Sequence, residues 1–256
     1  DGASRWLDLL ADVSLHPKVP ESGLQRLKDD QLRANSISRA RPQTMASEQF
    51  HRILYGDTGY GRLLPDDADV KGETVEQIRS YYQEYFVPSN AHLFIAGQFS
   101  GDLRKRIEAA FGSWKGGAAP AVPEVKASVK HTLELIDRPG APQSTIYMGE
   151  PVIQPKAPDY AALEVTNSLL GGSFMSRIVT NIREQKGYTY SPHSVLETNA
   201  QNALWVQSAD VTTKVTGASL HEIYGEIDRL RKEAPQEKEV QGIQNAMTGT
   251  FVLRNS

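Results

Sequence analysis

The segment Leu170-Gly171-Gly172-Ser173-Phe174-Met175-Ser176-Arg177, continued by Asn181-Ile182-Arg183-Glu184-Gln185-Lys186-Gly187-Tyr188-Thr189-Tyr190, changes backbone habit three times within about twenty residues. A helix predicted over about Asp159–Leu170 stops at the glycine pair, which can adopt the helix-ending conformations that other residues resist. A second helix, about Phe174–Gln185, runs on to Gly187, and the chain then enters a strand over about Tyr188–Glu197. Strand tyrosines are often simply packed and alternate strand positions face opposite sides, so only one of Tyr188 and Tyr190 is expected to reach outward. Arg183, near the end of the second helix, would complement the helix dipole whatever else it does.

Around this segment the pattern reads β-β-α-α-β-β-α-α. Strands are predicted over about Thr132–Asp137, Gln143–Gly149, Tyr188–Glu197 and Ala203–Ser208. Two more helices follow, at about Thr213–Glu233 and from Gln236 onward. Strands grouped apart from helix pairs indicate α+β, with helices layered on one face of a mainly antiparallel sheet. Upstream, apolar spacing predicts helices at about Trp6–Val13, Pro20–Arg39 and Thr44–Tyr55, the last closed by Gly56. Thr74 and Gln77 form a capping-box pair opening a helix through about Phe86. A strand at Ala91–Ala96 and a helix at Asp102–Phe111 follow. The small, proline-containing run Gly116-Gly117-Ala118-Ala119-Pro120-Ala121-Val122-Pro123 has the composition of a linker. It divides the chain into residues 1–125 and 126–256.

The 256 residues carry 28 basic and 31 acidic side chains, and no segment concentrates the basic ones, so nucleic acid is not an expected partner. Nor is membrane insertion, since no apolar run approaches the ~18 residues that span a bilayer. The absence of cysteine excludes thiol catalysis, disulfides and every cysteine-based metal site. The histidines at 16, 51, 92, 131, 193 and 221 include no i, i+4 pair. A zinc-binding helix face of that kind therefore cannot form. His221-Glu222 begins like such a motif, but Gly225 stands where the second histidine belongs. No Walker loop, nucleophile elbow or dinucleotide fingerprint is present. Taken alone, the chain does not read as an enzyme.

The glycine-to-tyrosine segment resembles the C-terminal half-domain of the pitrilysin/insulinase family of zinc peptidases, which includes mitochondrial processing peptidase. There a Gly-Gly turn leads through Ser-Arg into a helix ending in Arg-Glu-x-x-Gly-x-x-Tyr. Tyr81-Tyr82, Tyr85-Phe86, Pro88, Asn90 and Gly97 are similar to the family's helix-strand passage, and Phe111-Gly112-Ser113-Trp114 to its usual ending. The resemblance runs from Leu9 onward.

It implies two mitochondrial-processing-peptidase-like α+β rolls closing on an extended peptide, the first N-terminally truncated and the second cut short at its end. The inverted zinc motif His-x-x-Glu-His is then expected ahead of Asp1. Active members add a glutamate ligand from the helix resembling residues 20–40. Alignment on Gln25-Arg26-Leu27-Lys28 and Pro42 puts Ala34 at that position, and Gln31–Ser38 contains no acid. A methyl group cannot bind zinc. The resemblance gives Arg183, with Tyr188 or Tyr190, a place beside the peptide backbone, opposite zinc held elsewhere. Gly171 and Gly172 are either a structural turn or exposed backbone beside that peptide. The implied role is a non-catalytic subunit or domain without a cofactor of its own, paired as a heterodimer with a zinc-bearing homologue in the bacterial periplasm or cell envelope, or alternatively in the cytoplasm. The competing roles are a scaffold or peptide-binding module of the same fold, and an active peptidase truncated before its zinc motif.

Overall fold

The computed structural model describes residues 2–98, 101–118 and 120–255. The chain forms two compact units. One holds the residues up to Ser36 together with Pro65–Pro123, and the other holds Ile37–Leu64 together with the chain from Glu124 onward. The stretch 37–64 thus packs with the second unit although its sequence neighbours on both sides belong to the first.

In the first unit, α1 (Gly2–Leu15) packs on α6 (Leu103–Phe111), burying Leu7 and Ala11. The Tyr82 hydroxyl of α5 (Val75–Tyr85) donates to the Ser14 carbonyl. The Thr74 hydroxyl accepts from the Gln77 backbone N–H at 3.2 Å, while the Gln77 side chain accepts from the Thr74 N–H at 2.7 Å. That is the reciprocal box its sequence calls for. Asn35, fully buried in α2 (Glu21–Arg39), donates to the Pro65 carbonyl and to Asp67 at 3.0 Å each, fastening the start of α4 (Asp67–Gly72). The strand expected at Ala91–Ala96 is not formed, and these residues follow an irregular course with Phe94 90 % exposed. A strand needs a neighbour to take up its backbone donors and acceptors, and no described residues supply one.

The second unit is built on a three-stranded antiparallel sheet of order β1-β3-β2. β1 (Gln143–Val152) pairs along its length with β3 (Ala203–Thr212), from Gln143 opposite Thr212 to Val152 opposite Ala203. β2 (His193–Thr198) pairs with the other edge of β3, His193 opposite Ser208. β3 is therefore central and buried at seven of its ten residues, as expected of a strand covered on both faces. The strand expected at Thr132–Asp137 is absent. Leu133 and Leu135 are over 90 % exposed, and the segment is tied to a helix rather than to a sheet edge, with the Ser128 N–H donating to the Leu54 carbonyl at 2.7 Å and Gln49 donating to Glu134. β2 starts five residues later than expected because Pro192 has no N–H to give a ladder. Thr189 alone bridges ahead of it, to Val211.

The helices flanking the glycine pair are wider than the 3.6-residue spacing suggests. α7 (Tyr160–Asn167) passes into a π-type turn at Ser168–Gly172, and a second π-type stretch covers Val179–Gln185. The second ends with Gly187 at φ 64°, in the left-handed region, and the Tyr188 N–H returns to the Ile182 carbonyl at 2.8 Å. Ile182 from this stretch and Ile178 just before it, Val211 from β3 and Ile223 from α8 (Thr216–Lys232) are fully buried together. Asn181 donates to Glu222 and Glu226 of α8 at 3.0 and 2.8 Å, and Arg177 makes a two-pronged pair with Glu239 of α9 (Glu237–Asn255) at 2.7 and 2.8 Å.

α3 (Pro42–Tyr55) lies against β1 and carries Leu54 and Tyr55 into a second cluster with Leu204 and Val206. Its His51 is buried, with Nδ1 donating to the Ser47 carbonyl at 2.8 Å and Nε2 to Glu197 of β2 at 2.9 Å. Both partners are acceptors, so the ring fits the site best with both nitrogens protonated. Burial works against that charge, but the Glu197 hydrogen bond, the Ser47 carbonyl and the Glu197 charge together hold the pKa above its ordinary value. A raised folded-state pKa stabilises fully below the unfolded imidazole value of about 6.5 and fades as pH rises through the folded one. The urea midpoint is therefore expected to fall across that window, and His51→Gln to flatten the fall. Parallel pH profiles for the two proteins would contradict the latch.

Candidate functional site

The two wide turns and the lead-in to β2 line an open cavity of about 340 Å³. Its walls are the Gly171–Phe174 turn, Val179, Arg183 and the Tyr190–His193 segment. π-type turns recur at functional sites because the extra residue swings side chains away from the regular helical face.

Arg183 lies between two rings. Its Cζ is 4.4 Å from the Phe174 ring centroid and 5.2 Å from that of Tyr190. Each ring face attracts the cation, and a guanidinium held over aromatic faces keeps its five N–H donors available at its edge. One edge is used: Nη1 donates to Glu184 at 2.7 Å. The side chain stands in the last turn of its helix, so it also complements the dipole.

Tyr190, 81 % exposed, joins Arg183 at the cavity, whereas Tyr188 packs against the core cluster of Ile182 and Val211. Of the three expected residues, Arg183 and Tyr190 come together and Tyr188 does not join them. The break at Thr189–Pro192 lets the two tyrosines, two positions apart, serve different surroundings.

Phe174 is 69 % exposed, and its part in holding Arg183 was not legible from sequence beyond its place in the motif. His193 was passed over because, in sequence, it lacks a partner at metal-ligand spacing. It lines the cavity mouth, with the Ser208 hydroxyl 3.2 Å from Nε2.

The glycines have a steric reason. A Cβ on Gly171 would lie 2.6 Å from Gln207 Oε1 and 2.7 Å from Ser194 Oγ, and one on Gly172 would lie 2.7 Å from Asn167 Nδ2. Neither position has left-handed φ, so crowding by the Gln207, Ser194 and Asn167 side chains, not backbone conformation, disfavours a Cβ there.

The expected zinc ligand position fits no metal. Ala34 is an exposed residue of α2, and among the described residues no group of three or more His, Asp or Glu side chains could hold an ion. Also among the described residues, no helix is long and apolar enough to cross a membrane.

Residues 73–247 match the family model described as the peptidase M16 inactive domain. The chain belongs to this family. Among sequence relatives of this M16 inactive domain are uncharacterized zinc proteases of Bacillus subtilis (strain 168), 22 % identical over 98 % of the chain, and of Streptomyces coelicolor, 25 % identical over 96 %. The chain spans 61 % and 56 % of those two proteins. Its fold matches that of a peptidase M16 inactive domain from Pseudomonas fluorescens with a TM-score of 0.90 at 23 % identity, covering 96 % of this chain and 60 % of that one. It matches a protease from Helicobacter pylori at 0.87 and 17 %, covering 97 % and 62 %, and the periplasmic protease PqqL from Escherichia coli at 0.75 and 17 %, covering 99 % and 28 %.

Gly171→Ala is expected to destabilise the M16 inactive domain by about 1–3 kcal/mol, the usual range for overfilling a packed site. Gly217→Ala, in a helix with open space around it, should be neutral or slightly stabilising. Urea unfolding of the two variants side by side checks the contrast, and equal midpoints would refute the steric reading.

Proposed function

We propose that this chain is the non-catalytic wall of a zinc-peptidase chamber. It binds an extended peptide through Arg183 and Tyr190, and the hydrolytic zinc comes from a homologous partner subunit or domain. The observation that carries this reading is the guanidinium clamped between Phe174 and Tyr190 at the rim of the cavity. A peptide backbone offers carbonyl oxygens, and an edge-presented guanidinium and a phenol offer donors to them. Near a scissile bond, donors of this kind stabilise the developing oxyanion. Membership among inactive domains whose sequence relatives are called zinc proteases supports an auxiliary role beside a catalytic domain. The side chains present here fit peptide binding and not metal hydrolysis.

The scaffold reading gains nothing from an arginine stacked between exposed rings at a cavity. The truncated-peptidase reading is opposed by Ala34. A periplasmic or envelope location is proposed only by analogy with the E. coli neighbour.

Mixing the chain with a zinc-bearing homologue should produce chelator-sensitive cleavage of a quenched fluorescent peptide that neither protein shows alone. Arg183→Ala should lower kcat/KM by about 10²–10³-fold, the cost of losing one oxyanion donor. Tyr188→Phe should leave it unchanged. Cleavage that survives Arg183→Ala at full rate removes Arg183 from the proposed role.

A further inference from the structure

We propose that Asn167 is a positioning residue, which fixes the Gly171–Phe174 turn on the sheet and thereby holds Phe174 where it stacks on Arg183. The functional meaning of that position rests on the reading of the Arg183 cavity given above, but the positioning itself does not.

Asn167 is the last residue of α7 and does not line the cavity. Its Oδ1 accepts two hydrogen bonds from two different strands, from Ser194 Oγ of β2 at 2.6 Å and from Trp205 Nε1 of β3 at 3.0 Å. An indole N–H can only donate, so the amide orientation follows: the oxygen faces the strands and Nδ2 faces the other way, toward Gly172. One side chain thus ties the end of the helix to both strands at the point where the regular turn gives way to the wide one.

The wide turn is seated on the same atoms. Gly171 lies against Ser194 Oγ and Gln207 Oε1, and Gly172 against the amide of Asn167 itself. Gln207 is fully buried and donates from Nε2 to the Ser208 carbonyl at 2.9 Å, and the Ser208 hydroxyl stands beside His193 at the cavity mouth. A polar layer of Asn167, Ser194, Trp205 and Gln207 therefore lies under the glycine turn, inside a unit whose other buried contacts are mostly apolar. Ser194 and Gln207 are buried and Asn167 and Trp205 half-buried, and a shift of the turn would leave the Ser194 and Trp205 donors without their shared acceptor. Two residues past Gly172 stands Phe174, whose ring is 4.4 Å from the Arg183 guanidinium carbon. Movement of the turn moves the ring, and with it one of the two faces that orient Arg183.

Replacement by leucine, of similar size, removes both acceptors. Replacement by aspartate keeps them, exchanging the amide nitrogen for a charged oxygen. Ser194→Ala removes one of the two bonds to Asn167 and tests the same layer from the strand side, should Asn167→Leu fail to fold.

The test is nuclear magnetic resonance of the arginine Nε–H groups of the whole chain, with the Arg183 signal identified by its loss in Arg183→Lys. Two stacked rings should place it upfield of exposed arginines. Asn167→Asp should retain that position, Asn167→Leu should move the signal to that of exposed arginines, and Ser194→Ala should move it part of the way. In the mixture with a zinc-bearing homologue, Asn167→Leu should lower cleavage of the fluorescent peptide about 10²-fold, as misplacement of an orienting group by about 1 Å does. A folded Asn167→Leu or Ser194→Ala chain with Arg183 still at its wild-type position would overturn the proposal, as would a wild-type chain with no upfield signal. A residue of merely structural weight would lower the unfolding midpoint and leave that signal where it was. The resonance needs no peptide, so failure of the cleavage assay would count against the chamber reading and leave the positioning role to be decided by the spectrum.

Discussion

The Gly171–Gly172 turn is crowded by side chains of β2, β3 and α7, and the geometry of the site follows from that closeness. A Cβ would stand under 3 Å from Gln207 and Ser194 of the strands at Gly171, and from Asn167 of α7 at Gly172, which favours glycine at both positions. The close approach lets the helix end widen into a π-type turn, and it directs the chain so that Phe174 emerges beside Arg183. The second wide stretch, Val179–Gln185, brings Arg183 to the same place from the other side. It does so while keeping Ile178 and Ile182 fully buried against Val211 and Ile223. A regular helix could satisfy the core or the rim, and the added residue per turn satisfies both.

Charge keeps this arrangement attached to the helices behind it. Arg177 and Glu239 form a two-pronged pair, and their mutual hydrogen bonds push the arginine up and the carboxylate down from their ordinary pKa values. Asn181 bridges Glu222 and Glu226, and Lys186 pairs with Glu222 at 3.1 Å. These contacts fix the wide stretch and its flanks to α8 and α9 and, among the described residues, leave Arg183 with the Glu184 bond and two aromatic faces. A side chain held by rings rather than by a closed ion-pair network keeps donors for an incoming carbonyl. The same unit ties α3 to β2 through the bond from buried His51 to half-exposed Glu197, so residues 37–64 are bound to the sheet in part by a contact that protonation strengthens.

Much of this was legible in the sequence where local chemistry dominates. The Thr74–Gln77 box, the helix stop at Gly56 and the helix end at Gly187 follow from rules acting within a few residues, whereas the glycine pair was expected as a helix-ending turn and instead lies within a wide turn crowded by Gln207, Ser194 and Asn167. Arg183 and the two tyrosines were singled out by the motif around them, and the geometry separates the tyrosines in a way strand alternation alone could not. The rest depended on distant partners. Apolar spacing cannot distinguish a π-type stretch from a regular helix, since one added residue shifts the pattern by less than its tolerance. Thr132–Asp137 and Ala91–Ala96 have strand composition, but pairing decides a strand, and neither segment is paired among the described residues. Pro192 shortens β2 for a reason visible in sequence and not applied there. Asn167, Ser194 and Trp205 lie 11 to 38 positions apart and carry no spacing that would join them before folding.

The chain belongs to the peptidase M16 inactive domain family, and peptide binding is the role proposed for it. The central claim is that peptide meets the surface between the glycine turn and the entry to β2. Hydrogen-exchange mass spectrometry of the chain with and without β-casein, an extended polypeptide lacking fixed structure, tests it most directly. The expected result is slower exchange confined to residues 171–174 and 183–193. Protection elsewhere with these segments unchanged would contradict the claim.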